Sequence, residues 1–121
     1  MRHRAKRLIQ LSGKTFTEKN ATIRNLLTAF FVHKSLKTTK KKARMVAVEV
    51  EKLINVVNSD SKLNAIRTVM QYVYTDLSSQ ELFKNIAAKY KDRKSGMTRI
   101  TPFKYRAGDS ATLVKLEFVE A

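Results

Sequence analysis

Gly13, Lys14 and Thr15, in the stretch SGKT, have the types and order that close a phosphate-binding loop. There, backbone N–H groups and a Lys cradle the phosphates of a nucleotide. Such a loop opens on another Gly, which the spacing puts at position 8. Leu8 stands there instead, and no apolar strand leads into it. Nucleotide chemistry therefore finds no support in this motif. Metal chemistry fares no better. His3 and His33 have no Cys, Asp or Glu at a ligand spacing, and the chain contains no Cys at all. Disulfides and thiolate metal sites are thus ruled out. Glu49 and Glu51 are close in sequence but project in different directions from a helix. No nucleophile has a base at a recognisable spacing. The residues suggest no catalytic group, no metal, no cofactor and no small-molecule substrate.

The remaining chemistry is cationic. Lys plus Arg number 25 against 10 Asp plus Glu, a net charge of +15 in 121 residues. An excess of this size favours association with anions. It is also unevenly distributed: residues 1–44 carry +12, 45–91 carry +1, 92–108 carry +4 and 109–121 carry −2. The amino-terminal run MRHRAKR supplies Arg2, Arg4, Lys6 and Arg7, and Lys14 follows. Alone, such a run is a solvated tail; against a polyanion it becomes an ordered arm. A second group, Lys37, Lys40, Lys41, Lys42 and Arg44, surrounds the start of a predicted helix. Cations are unfavourable at that end of a helix dipole. They become favourable when a phosphate sits there, since backbone N–H groups also bind it. A frayed, screened first turn is the plainer alternative. A third group comprises Arg93, Lys94, Arg99, Lys104 and Arg106. Phe103 and Tyr105 interleave with it. Packing on a sheet is their ordinary role, and stacking on bases is the second.

The elements that must carry these cations follow from periodicity. Thr15 and Glu18 have capping-box spacing, with Thr17 an equal candidate for the cap. Ile23, Leu26, Leu27, Phe30 and Phe31 then form one helical stripe. SLKTT, residues 35–39, reads as a brief strand or an extended link. A second helix from about Lys40 has the stripe Ala43, Val46, Ala47, Val50, Ile54 and Val57. NSDS, residues 58–61, is a turn. A third, shorter helix is expected to bury Leu63, Ile66, Met70 and Val73. Ser78 to Glu81 supplies a second capping box, and Leu82, Phe83, Ile86, Ala87 and Tyr90 give a fourth helix. Gly96 marks a turn. MTRITPFKY, residues 97–105, is a strand whose Pro102 signals an edge or an irregularity. RAGDSA is a hairpin connection. LVKLEFVE alternates, with Val114, Leu116 and Phe118 on one face. The order predicts an α+β fold, about four helices packed with a small, mostly antiparallel sheet. An extended basic arm over residues 1–14, anchored by Leu8 to Leu11, precedes one globular domain over 15–121.

The longest apolar runs, such as LLTAFFV, fall short of the ~20 residues a membrane helix needs. The basic start is not followed by the apolar region of a secretory signal, although its lack of acid has something of a mitochondrial presequence.

Several motifs, in this order, resemble those of the bacterial-type large-subunit ribosomal protein seventeen family. They are MRHR at the start, IRNL at 23–26, TTKKKAR at 38–44, YKDRKSGMTRI at 90–100, and RAGDSA followed by the LVKLEFVE strand. The resemblance implies an α+β structural constituent of the large ribosomal subunit, without enzyme activity. Its partners would be large-subunit rRNA near the nascent-chain tunnel exit and neighbouring large-subunit proteins, in the cytoplasmic ribosome of a bacterium, with an organelle ribosome as the lesser alternative. Matching positions Arg2, His3, Arg4, Thr38, Thr39, Lys42, Arg44, Arg93 and Arg99 become expected rRNA contacts beside the other cations named above. The chain departs from the family pattern at AKRLIQLSGK, at Ser95 and Met97, and at Lys41 and Thr112, where Pro is common. Two other readings compete. A small basic DNA-binding module should show a recognition helix with base-reading polar residues on one face. An adaptor at an anionic membrane should pair a basic helix face with a lipid-facing aromatic one. Neither pattern is evident in the sequence.

Overall fold

In a computed structural model of the chain, the described residues are 15–59 and 61–119. The arm, with Arg2, His3, Arg4, Lys6, Arg7 and Lys14, lies outside them, as do the Leu8–Leu11 anchor and most of SGKT. Among the described residues the chain forms four helical segments and one three-stranded sheet, in an α+β arrangement. Helix α1 spans Phe16–His33, strand β1 Ser35–Thr39, helix α2 Lys40–Ser59 and helix α3 Lys62–Met70. The fourth segment begins as α4, Asp76–Glu81, passes through a π-helical turn at Leu82–Ile86, and ends as α5, Ala87–Lys89. Strands β2, Thr98–Tyr105, and β3, Thr112–Phe118, complete the chain.

Thr15 is the cap of α1. Its backbone is extended and its hydroxyl oxygen accepts from the Glu18 N–H at 3.1 Å. That bond satisfies one of the N–H groups a helix start leaves without a partner. At the other end Lys34 adopts a left-handed backbone, with φ 63°, and donates its N–H to the Phe30 carbonyl at 2.7 Å. This turn reverses the chain directly into β1. The sheet order is β1-β3-β2, antiparallel throughout. Because β3 is central, its inward residues Val114 and Leu116 are fully covered. They meet Leu27, Phe30 and Phe31 of α1 and Val46, Val50, Leu53 and Ile54 of α2 in one core. The Phe30 and Phe118 rings lie 4.5 Å apart, centre to centre. The Tyr90 hydroxyl donates to the Val119 carbonyl and ties the last helix to the end of β3.

Two expectations about the helices are corrected. The third helix buries Ala65 and Val69, with Val73 just beyond it. Leu63, Ile66 and Met70 face outward, 59%, 38% and 64% exposed. Helix α3 packs on α2, and the small side chain of Ala65 lets the two backbones approach where three large side chains would hold them apart. The fourth helix starts earlier than the Ser78–Glu81 box. Thr75 is its cap, accepting from the Ser78 N–H at 3.3 Å, and Ser78 is buried in the first turn with its hydroxyl on the Thr75 carbonyl. The turn at 58–61 is also shorter than read, since α2 runs through Ser59 and Ser61 already caps α3.

Candidate nucleic-acid interface

Strand β1 passes into α2 without a loop: Thr39 ends one and Lys40 begins the other. The first turn of α2 holds Lys40, Lys41 and Lys42, with Arg44 following, and contains no acidic residue. Its first backbone N–H groups have no intrahelical carbonyl to bond. The misfit read from the sequence is therefore a physical feature of the fold.

Register brings more cations to the same end. Thr39 pairs with Leu113 and Leu113 with Lys104, so Lys104 lies two strand spacings, about 10 Å, from the start of α2. Lys37 pairs with Lys115, which pairs with Thr101; these side chains share the sheet face away from Val114 and Leu116. Two Lys directly opposite each other on neighbouring strands repel. Glu117 offsets part of that repulsion, lying 3.4 Å from Lys115 and 3.0 Å from Arg99. Its carboxyl is held below the ordinary range, first by the Arg99 hydrogen bond. Among the described residues, Lys37, Lys40, Lys41, Lys42, Arg44 and Lys104 form no ion pair.

Pro102 sits on edge strand β2, where its missing N–H leaves no gap in the sheet, and a bulge follows it. Pro102 pairs with Val114 and Lys104 with Leu113, leaving Phe103 between them. Phe103 and Tyr105 are 42% and 73% exposed, so neither is packed beneath the sheet as first expected. The Phe103 ring has the Lys37 ammonium at 5.5 Å and that of Lys104 at 5.8 Å. An exposed ring flanked by two cations offers a stacking face beside phosphate donors.

The expected contacts do not all converge. Lys37, Thr39, Lys40, Lys41, Lys42, Arg44 and Lys104 gather where the sheet end meets α2. Thr38 has the inward parity of Val114 and turns toward the core side. Arg106, in the hairpin just beyond β2, is held by Asp109 through two bonds of 3.0 and 2.6 Å. That guanidinium, with help from the Ala111 N–H, lowers the Asp109 carboxyl to about 2. Arg99 is held by Glu117 at the opposite end of β2. Arg93 donates to the Gly96 carbonyl, and the Lys94 carbonyl accepts from Asn55 of α2. Asn55 lies about 20 Å along α2 from its first turn, at 1.5 Å per residue. Lys115 was missed. The signal for it was its outward position in the alternation of β3, opposite another Lys. Arg24, off the stripe of α1, acts internally: it lies 4.1 Å over the Tyr74 ring and donates to the Met70 carbonyl.

Among the described residues no three His, Cys, Asp or Glu come together as a metal site, and no helix is long and apolar enough to cross a membrane. Fold and surface define a class: a small, highly basic α+β protein in which, among the described residues, a cluster of cations without ion pairs gathers where a sheet end meets a helix start. Comparison with known proteins makes this specific. The family model described as ribosomal protein L17 matches residues 22–119. The large ribosomal subunit protein bL17 of Desulforamulus reducens is 37% identical over 107 residues, covering 88% of this chain and 95% of that protein. The bL17 proteins of Desulforudis audaxviator and Clostridium botulinum are 35% and 36% identical, with 88% of this chain covered in each case and 95% and 94% of the relative. The chain belongs to the ribosomal protein L17 family, as its ordered motifs implied.

Proposed function

We propose that this protein is a structural constituent of the large ribosomal subunit in the bacterial cytoplasm. It binds large-subunit rRNA near the nascent-chain tunnel exit, beside neighbouring large-subunit proteins. The observation that carries the RNA-binding part is the junction of β1 and α2. Four cations stand at a helix start without an acidic neighbour, and Lys37, Lys104 and Lys115 gather on the adjoining sheet end. Phosphate at this place relieves both the helix-dipole conflict and the Lys–Lys repulsion. Family membership supports the ribosomal setting. The arm residues Arg2, His3, Arg4, Lys6, Arg7 and Lys14 extend the same contact, with Thr38, Arg93, Lys94, Arg99 and Arg106 as further contacts. The reading of a DNA-binding module is weaker, because the exposed face of α3 presents Leu63, Ile66 and Met70 where base-reading polar groups would be needed.

The test replaces Lys40, Lys41, Lys42 and Arg44 with Gln in one variant and Arg2, Arg4, Lys6 and Arg7 with Gln in another. Binding is measured on a large-subunit rRNA fragment and on duplex DNA across a salt series. Each variant should lose RNA affinity and show a shallower salt dependence, by roughly 0.7–0.9 in the log–log slope per phosphate contact removed. Circular dichroism of the first variant should be unchanged, since Lys40, Lys41, Lys42 and Arg44 are outside the core. Wild-type slope and affinity in both variants, or equal affinity of the native chain for duplex DNA, would overturn the proposal.

A further inference from the structure

Helix α3 and the later part of the last helix, its π-helical turn and α5, both lean on α2 but hardly touch each other, while α4 packs on α1. Between them runs a groove of about 750 Å³. Val57 of α2, Ile66 and Met70 of α3, and Phe83 and Ala87 of the last helix line it with carbon. Leu63 continues the apolar face of α3 outward. Lys62, Lys84 and Lys91 also line the groove, against one carboxylate, Asp76. Phe83 belongs to the π-helical turn, and such turns often mark places where a helix is shaped for contact. A face with this many large apolar side chains in water favours association.

We infer that the groove receives a helical segment of a neighbouring protein, apolar along one stripe and acidic beside it. Ile66 and Met70, four residues apart on α3, present the spacing that a helix with apolar residues at three- and four-residue steps can match. The three Lys against one Asp call for carboxylates on the partner. RNA fits poorly: Asn58, Ser79 and Gln80 add uncharged polar groups, but phosphates would still lose water against Val57, Ile66, Met70 and Phe83, and no Arg lines the groove among the described residues. The charge agrees, since residues 45–91 carry only +1 while residues 1–44 carry +12. A second copy also fits poorly. Two chains of +15 repel, and a two-fold contact here would set the same Lys side chains against each other. Val57 lies about 23 Å along α2 from the cationic first turn, so occupancy of the groove does not depend on RNA binding there.

The photo-crosslinking residue p-benzoylphenylalanine, introduced at the exposed Met70 of the full chain in growing cells, tests the inference. Irradiation should give an adduct to a polypeptide, and mass spectrometry should map it to a segment with that apolar stripe and flanking Asp or Glu. Adding Lys62→Glu and Lys91→Glu should lower the yield at least about fivefold, because repulsion replaces attraction at the rim. Both Lys are exposed, so the fold is spared. No adduct at Met70, an adduct to RNA, lipid or another copy, or an unchanged yield on charge reversal would each overturn the inference. Sedimentation of the same lysates reports incorporation into large subunits separately, so a failure of the ribosomal reading is distinguished from a failure of the groove.

Discussion

Glu51 provides the sharpest test of how the sheet is held on α2. Its Oε1 accepts from the Gly96 N–H at 3.0 Å and from the Met97 N–H at 3.2 Å. These bonds fix the chain as it enters β2, immediately before Met97 becomes fully buried. Glu51→Ala removes both acceptors. Gly96 is exposed, so water replaces its lost partner at small cost; the Met97 N–H is partly buried and has poor access to water. A charge-assisted bond contributes about 1.5–3 kcal/mol and an unsatisfied buried donor costs about 1–3, so the two sites together should lose about 2–4 kcal/mol. Ala is a slightly better helix former than Glu, by a few tenths of a kcal/mol, which acts in the opposite direction and does not cancel the loss. With a urea m-value of about 1.5 kcal/mol/M, a loss of 3 kcal/mol lowers the unfolding midpoint by about 2 M. Glu51→Gln keeps an acceptor oxygen without the charge and should lose about 1 kcal/mol. Urea titrations of the three chains, followed by circular dichroism, decide the matter. If Glu51→Ala unfolds within 0.3 M of the native chain, equivalent to under about 0.5 kcal/mol, the clamp has no energetic role and the reasoning is wrong.

The orientation of α3 is open to a paired test. Ala65→Leu should overpack the contact with α2 and cost about 1–3 kcal/mol, while Met70→Gln on the outer face should stay within about 0.5 kcal/mol of the native chain in the same titration. The hairpin carries a pH signature. The Asp109 carboxyl titrates at about 2 in the folded chain, below its ordinary 3.8, so the stabilisation from its bonds to Arg106 and Ala111 is present above pH 4 and is lost as the pH falls through about 2. Carboxyl NMR titration should find that midpoint, and Arg106→Gln should move it up toward the ordinary value. A native midpoint near 4 would contradict the bidentate geometry.

What the sequence made legible follows its unambiguous periods. The stripes of α1 and α2, the alternation of β3 and the irregularity at Pro102 each had one physical solution, and the structure adopts it. For α3 there were two. Leu63, Ile66 and Met70 are the larger residues, and a reading by size chooses them for the core. Ala65 and Val69 form the competing face. Sequence does not carry the interhelical distance that decides between them, so the smaller face won where two backbones come close. The fourth helix misled for a related reason. Ser78 can cap a helix or sit inside one, and only Thr75, already extended ahead of it, settles which. Glu49 and Glu51 were read as pointing apart: Glu49 is buried beside Lys52, while Glu51 reaches the loop before β2.

The cationic end shows why composition outperformed position as a guide. Charge counts located three basic segments but gave no measure of how far apart they fold or which cations are already committed to a carboxylate. Arg99 and Arg106 are so committed, through Glu117 and Asp109, and exposed pairs of this kind contribute little to stability. Their effect is more local: each fixes one guanidinium, and Glu117 also reaches Lys115, while Lys37 and Lys104 have no carboxylate partner among the described residues. Lys37 opposite Lys115, and Lys40 to Lys42 at a positive helix end, are arrangements that an isolated domain gains nothing from keeping. Glu117 meets only part of the Lys37–Lys115 conflict, and no acidic residue stands in the first turn of α2, so an anion outside the fold would relieve both. Two unrelated conflicts, one of a helix and one of a sheet, meet within about two strand spacings. A single run of phosphates answers both, and this coincidence is a stronger argument for a polyanion there than the net charge alone.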